Sequence, residues 1–253
     1  MNTDKINGFL SRIGLADIDT ECTLELLSSI QEACVLNIPY ENLSILRGES
    51  LPTDADALYD KIVTQGRGGY CFELNAFLHA MLAEMGFDTK SCFARFLRGE
   101  TDIPFRRHRI VIVTLKGEDY MLDIGVGQTA PRFPLKLEEN MIQEQNGETY
   151  RFKKDSELGW VLWEYHGGEW RRYISFTTEK QYEIDFFPTS FWCEKHPESP
   201  FNKAEMIAIK TKNGRKTVNG NEYKIFEGDT CIHCEKMSSE RKKEILYSVF
   251  GLE

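Results

Sequence analysis

The chain has 253 residues, 41% of them hydrophobic and 28% charged, with a net charge of -9. That length buries a substantial core in one large domain or in two to three small ones, and the acidic balance argues against a general binder of nucleic acid or anionic membrane while leaving room for a local basic patch that holds a small anion. No apolar run is long enough to span a bilayer, and the opening MNTDKINGFLSRIGL lacks the apolar stretch and cleavage site of a secretory signal, so the expected location is the cytoplasm.

The first third reads as helix. DKINGFLSRIGL and TLELLSSIQEACVLNI place Leu and Ile at helical spacing, and Pro39 ends the second of these by disfavouring helical geometry at Ile38. DADALYDKIV continues the pattern. GRGGY then precedes a helix predicted from about Cys71 to Met85, in which Leu74, Phe77, Leu78, Met81, Leu82 and Met85 share one face and Gly86 sits at the C-terminal cap.

From about residue 88 the period changes. KSCFARFL, RHRIVIVTLK, DYMLDIGVG, TYRFKKD, GWVLWEYH and EWRRYISF are short, aromatic and β-branched, with turns at KGED, QNGE and YHGGE. This is an antiparallel β region, either barrel or sandwich. In the last third KQYEIDFFPTSFWCEKH is ambiguous, AEMIAIKTKNGRKTVNGNEYKIFEG reads as a meander, and SSERKKEILYSVFGL reads as a capped amphipathic helix. No repeat or low-complexity segment interrupts the order of helices, strands and a mixed region.

Seven cysteines, Cys22, Cys34, Cys71, Cys92, Cys193, Cys231 and Cys234, are scattered and odd in number, which fits reduced thiols better than a disulfide framework. Cys71 stands apart. It opens a helix, where unpaired N–H groups favour a thiolate, and Gly68 and Gly69 let the backbone turn and a substrate approach. A buried structural cysteine in a tight loop is the competing reading. CIHC, Cys231 to Cys234, raises zinc or a redox disulfide, but a structural zinc needs four ligands and no second pair follows before the chain ends, so no metal is expected.

A cysteine nucleophile needs a base and the base an orienter. Of the five histidines, His79 is two turns along the same helix from Cys71, His166 and His196 lie in turn-like stretches, and His233 lies within CIHC. His108 opens the strand HRIVIVTL, where a rigid element can aim an imidazole into a site, although strand histidines are more often structural. Asp123 interrupts the apolar YMLDIGVG and needs a partner if buried. A simple hairpin through KGED pairs Leu115 with Tyr120 and Asp123 with Ile112, which leaves His108 four residues further along, roughly 13 Å away at strand rise. A bulge, another register or a bend at Gly125 and Gly127 has to close that gap.

RGGYCFELN, Arg67 to Asn75, resembles the nucleophile motif of the arylamine N-acetyltransferases. IPYENLSI resembles that family's Pro-Phe-Glu-Asn-Leu segment, RRHRIVIV its histidine strand and LDIGVG its aspartate strand, while FLSRIGL and HPESPF also fit, so that the resemblance covers essentially the whole chain in order. It implies an α+β fold: a helical bundle over residues 1–86 that carries the nucleophile, an antiparallel β-barrel over 87–178 that carries His and Asp, and a mixed α/β lid over 179–253. It implies a Cys71, His108, Asp123 triad, supplies the His–Asp contact that the simple hairpin does not, and implies acetyl-CoA as donor, an aromatic amine or hydrazine as acceptor, and ping-pong exchange through an acetyl-cysteine.

Val126 and Tyr40 stand where the family commonly has Phe; the first widens the acyl pocket and the second adds a hydroxyl. Phe201 lines the acceptor pocket by the same resemblance. Arg107, with Arg106 and Arg109 in FRRHR, offers charge for the phosphates of CoA, whereas Lys210, Lys212, Arg215 and Lys216 read first as a solvated turn. Arg67 either fixes the glycine loop or makes a surface salt bridge, and Glu41, Glu73 and Asn75 are expected to hold neighbouring backbone. Two rivals share these residues: another cysteine acyl-transfer enzyme, such as an amide synthase or a thiol hydrolase, and a non-enzymatic binding protein on the same fold.

Overall fold

The computed structural model of the chain describes residues 2–52 and 54–253. Helices α1 (Thr3–Arg12), α2 (Leu24–Asn37), α3 (Leu43–Leu46), α4 (Ala55–Tyr59) and α5 (Cys71–Met85) make up the first third, with a single π-helical turn over Asp60–Thr64. Local chemistry sets their ends. Thr23 caps α2 by accepting the Leu26 N–H at 3.1 Å. Ile38, before Pro39, leaves helical geometry at φ -112° and ψ 113°. Gly86 closes α5 in the left-handed region at φ 98°. The helices bury Phe9, Leu27, Ile30, Phe77, Leu78 and Leu82 in a common core.

An eight-stranded antiparallel sheet follows: β1 (Asp88–Phe96), β2 (His108–Leu115), β3 (Glu118–Leu122), β4 (Leu135–Lys136), β5 (Gln143–Gln145), β6 (Glu148–Asp155), β7 (Gly159–His166) and β8 (Glu169–Phe176), in the spatial order β4-β3-β2-β1-β8-β7-β6-β5. Of the two architectures that the strand pattern left open, the sheet takes the nearly closed barrel. Side-chain amides join its end strands. Gln145 exchanges hydrogen bonds with the backbone of Phe133 at 2.8 and 3.0 Å, and Gln143 with that of Lys136 at 2.8 and 3.0 Å. β2 is buried on both faces: Ile110 and Ile112 join the barrel core while Val111 and Val113 join the helical core.

The β2–β3 hairpin corrects the expected register. Leu115 pairs with Glu118 and Val111 with Leu122, because the turn is the two-residue Lys116-Gly117, with φ 51° and 82°. Both dihedrals suit a tight turn whose twist matches the strands. Continuing that ladder by one step sets Asp123 beside Ile110 rather than Ile112, two residues from His108.

The undecided stretch near residue 190 is helical, α6 (Glu183–Lys195), with Pro188 inside it. Packing overrides its aromatic, β-like composition: Phe186 sits 4.5 Å from Phe93 and 6.0 Å from Phe72, centroid to centroid. A four-stranded antiparallel sheet then runs β9 (Met206–Thr211), β10 (Gly214–Asn219), β11 (Glu222–Glu227) and β12 (Thr230–Lys236), followed by α7 (Ser239–Phe250). Strand β9 docks onto the helical third through two backbone bonds between Ala208 and Tyr40, of 2.9 and 3.0 Å. No helix among the described residues is long and apolar enough to cross a membrane.

Candidate active site

Cys71 is the first residue of α5, and the loop before it is held from beneath. Gly68 lies so close to the preceding chain that a Cβ there would fall 1.9 Å from the carbonyl oxygen of Pro39, which only glycine permits. Arg67 donates to Glu41 at 2.8 Å and to Ser44 at 3.2 Å, so of its two expected roles it takes the loop-fixing one. Glu41 in turn accepts the Leu43 N–H at 2.7 Å. Glu73, in the first turn of α5, accepts the Tyr70 N–H at 3.1 Å and pairs with Lys61 at 2.6 Å. Lys61 also stands 3.9 Å from Glu41, and these groups are largely out of solvent, so each charge has a counter-charge where an unpaired one would be costly.

His108 and Asp123 meet. His108 Nε2 lies 2.6 Å from Asp123 Oδ2, and both residues are buried. Alternation explains part of this: His108 shares a strand face with Ile110 and Ile112, which point into the barrel. The rest comes from α5. Asn75 donates to the backbone carbonyl of Arg109 at 2.6 Å and to Asp123 Oδ1 at 2.8 Å, while its own Oδ1 accepts the Ile124 N–H at 3.0 Å. Gly125 N–H closes the set on Asp123 Oδ1 at 2.8 Å. One asparagine therefore ties α5, the helix that Cys71 opens, to both strands. Gly125 itself packs onto Cys71: a Cβ there would stand 2.7 Å from Cys71 Cα.

The thiol of Cys71 does not follow the expected lowering. Burial pushes it well up, and the neighbouring Cys193 and Asp123 reinforce the shift, while the backbone N–H groups of Phe72 and Arg109 pull the other way. The helix N-terminus acts with the predicted sign but is outweighed, because only 3% of Cys71 is exposed. A thiolate here needs a local proton acceptor.

Cys71 and His108 open onto one cavity of about 430 Å³. Tyr40, Val126, Phe201 and Arg107, the four residues singled out for substrate contact, line it too. Phe201 stands edge-on to Tyr70 at 5.6 Å, and Arg107 is tethered to Glu100 at 2.7 Å. Arg109 is turned away from the cavity's lining: it pairs with Glu183 and Ser91 and stacks over the Phe186 ring at 4.3 Å. Arg98, Gln128, Lys224 and Phe226 also line the cavity and were not anticipated. Lys224 and Phe226 belong to β11, whose sequence reads as one more meander strand with nothing to mark which side chains face Cys71. CIHC forms the exposed edge strand β12, with both its cysteines free, and no group of three or more His, Cys, Asp or Glu among the described residues is arranged to hold a metal.

Comparison with known proteins places this geometry. A family model described as N-acetyltransferase matches residues 23–253. An arylamine N-acetyltransferase of Mycolicibacterium smegmatis is 30% identical over 254 residues, covering 98% of this chain and 92% of the relative. The solved arylamine N-acetyltransferase of Salmonella typhimurium superposes with a TM-score of 0.93 at 25% identity, covering 98% of this chain and 91% of that one. The Mycobacterium marinum enzyme, solved in complex with CoA, superposes with a TM-score of 0.90 at 29% identity, covering 98% and 92%.

Proposed function

The chain belongs to the arylamine N-acetyltransferase family, and from that premise we propose that it transfers an acetyl group from acetyl-CoA to an aromatic amine or hydrazine by ping-pong exchange through an acetyl-Cys71 intermediate. The observation that carries this reading is the buried His108–Asp123 contact at the wall of the cavity that also holds Cys71. With Nε2 engaged by the carboxylate, Nδ1 is the ring nitrogen free to exchange a proton.

In the first half-reaction His108 takes the proton of Cys71, and Asp123 stabilises the resulting imidazolium. The thiolate attacks the thioester carbonyl, the tetrahedral intermediate collapses, and CoA leaves as a thiol with the proton returned by His108. The backbone N–H of Cys71, at the start of α5, is the donor for the transient oxyanion. In the second half-reaction the amine attacks the acetyl-cysteine, His108 takes the amine proton, and Cys71 departs as thiolate. Because burial raises the isolated thiol, proton transfer to His108 is what makes the nucleophile, and the ion pair forms only inside this site.

The apolar wall made by Val126, Phe201 and Phe226 suits an aromatic acceptor. That the relative from Mycobacterium marinum binds CoA supports the donor. The test is intact-mass analysis after mixing with acetyl-CoA, followed by an aromatic amine. One acetyl addition is expected, lost on adding amine and absent from Cys71→Ala. A thiol hydrolase would show no lasting adduct, an amide synthase would discharge to a different acceptor, and a binding protein would show no adduct at all.

A further inference from the structure

A second cavity, of about 210 Å³, lies beside the first, where the β5–β6 turn, the β9–β10 turn and the segment Gly127–Thr129 converge. The two cavities share Arg98 and Gln128. Four cations line it: Arg98, on the wall shared with the first cavity, and Arg132, Lys210 and Arg215 from three further segments. Arg132 and Lys210 are each only 4% exposed, and Arg132 Nε meets no partner. The reading of Lys210 as part of a solvated turn is thus corrected: β9 points it inward, and only Lys212 sits at the tip of the turn.

Each cation has a carboxylate partner, but only three of the four carboxylates line the cavity. Glu148 binds Lys210, Glu164 binds Arg98 at 2.7 Å, and Asp229, at the mouth and 69% exposed, divides between His166 at 3.3 Å and Arg215 at 3.6 Å. Arg132 finds its carboxylate, Glu32, outside the cavity at 3.3 Å. Burial chiefly disfavours the charge on Lys210, Glu148 opposes it, and Arg132 and Arg215 are close enough to add to the effect of burial. Cations crowded in a partly dry pocket favour a multivalent anion, whose oxygens accept charge-assisted hydrogen bonds from several of them at once.

We propose that this cavity binds a phosphoryl-class oxyanion, seated among Arg132, Lys210 and Arg215. The site stands on its own geometry, and only its nucleotide-end source rests on the acetyl-transfer reading. Two sources share the chemistry: a free inorganic anion, or a phosphate of the donor's nucleotide end, which the shared wall at Arg98 and Gln128 brings within range.

The experiment is calorimetric titration of the full chain at constant ionic strength with inorganic phosphate and, separately, with adenosine 3′,5′-bisphosphate. Wild type, Arg215→Gln and Lys210→Met are compared, with ligand-free thermal unfolding as the check on folding. Saturable binding of at least one probe is expected, weakened at least about tenfold in the variants, as loss of one charge-assisted hydrogen bond requires. Phosphate binding that acetyl-CoA does not displace identifies the free anion. Bisphosphate binding that excludes phosphate, with a matching rise in KM for acetyl-CoA in Arg215→Gln, identifies the nucleotide end. Failure of both probes to saturate, or equal affinity in wild type and Arg215→Gln, overturns the proposal. Arg215→Gln keeps the Lys210–Glu148 pair and decides the matter if Lys210→Met does not fold.

Discussion

His108 and Asp123, fifteen residues apart in the chain, are joined by a 2.6 Å contact between Nε2 and Oδ2, although the ladder between their strands ends one residue before Asp123. The contact fixes which ring nitrogen can exchange a proton. Asp123→Asn would turn an amide N–H toward Nε2 and oblige that nitrogen to accept, which places the proton on Nδ1. His108 could then take none from Cys71. A fall in kcat/KM of about 10³–10⁴ is expected, with the fold retained by circular dichroism. Activity within a few fold of wild type would remove Asp123 from the mechanism.

Asn75 makes three hydrogen bonds in a fully buried position, to Arg109, Asp123 and Ile124. Asn75→Ala takes this partner from the Arg109 carbonyl and the Ile124 N–H and leaves Asp123 Oδ1 with the Gly125 N–H alone, and the expected loss of stability is about 3 kcal/mol by urea unfolding. Turnover should fall as well, because Asp123 loses one of the groups that aim it. A variant that lost stability yet kept full kcat would show that Asn75 holds the fold and not the carboxylate.

Gly125→Ala puts a methyl group 2.7 Å from Cys71 Cα and 2.7 Å from Asn75 Nδ2. The Cys71 backbone and the Asn75 side-chain amide must shift, costing about 1–3 kcal/mol. Displacement of the nucleophile by even part of an ångström should cost about 100-fold in the acylation rate, read by stopped-flow release of CoA. Unchanged acylation would mean that the loop adjusts without moving Cys71.

Glu73 gives a pH dependence of defined sign. Burial pushes its carboxyl up to about 7 from an ordinary 4.5, against the opposing ion pair with Lys61. Below the ordinary value both folded and unfolded chains hold the proton, and between there and about 7 only the folded chain does. The contribution to stability is therefore complete at the acid end and is lost as pH rises to about 7. Its size is on the order of 3 kcal/mol. Glu73→Gln, which keeps an acceptor for the Tyr70 N–H, should flatten the change in urea midpoint between about pH 5 and about pH 8. An identical slope in the variant would rule Glu73 out as its source.

Val126 lines the cavity beside Cys71 and His108. Val126→Phe fills space next to the sulfur, so it should lower kcat/KM for bulky acyl donors by about 10–200-fold relative to acetyl-CoA. Parallel assays with acetyl- and longer acyl-CoA esters check this. An equal effect on all donors would place Val126 away from the acyl group.

Much of this protein was legible in its residues. The span of α5, the cap at Gly86, the stop at Pro39 and the antiparallel meander of β9 to β11 all follow from side-chain periodicity and from backbone limits that act over a few residues. Cys71 at a helix start, His108 at a strand start and Asp123 in an apolar run were visible for the same reason. The register of β2 and β3 was not, since a two-residue shift keeps the same alternation of faces and differs only in the turn that closes it. The helical state of the stretch around Pro188 was not, since its aromatic residues favour a strand until Phe72 and Phe93 offer them a surface.

Sequence by itself thus settled most of the elements, α6 apart, and which candidate reactive groups they carry, because those choices depend on neighbours along the chain. Tertiary structure alone decided that Asn75 would bridge helix and barrel, that burial would outweigh the helix terminus at Cys71, and that Arg132, Lys210 and Arg215 would share a cavity. Each of these depends on segments brought together through space, where the fate of a charge or a polar group is set by what stands opposite it and by how much water remains.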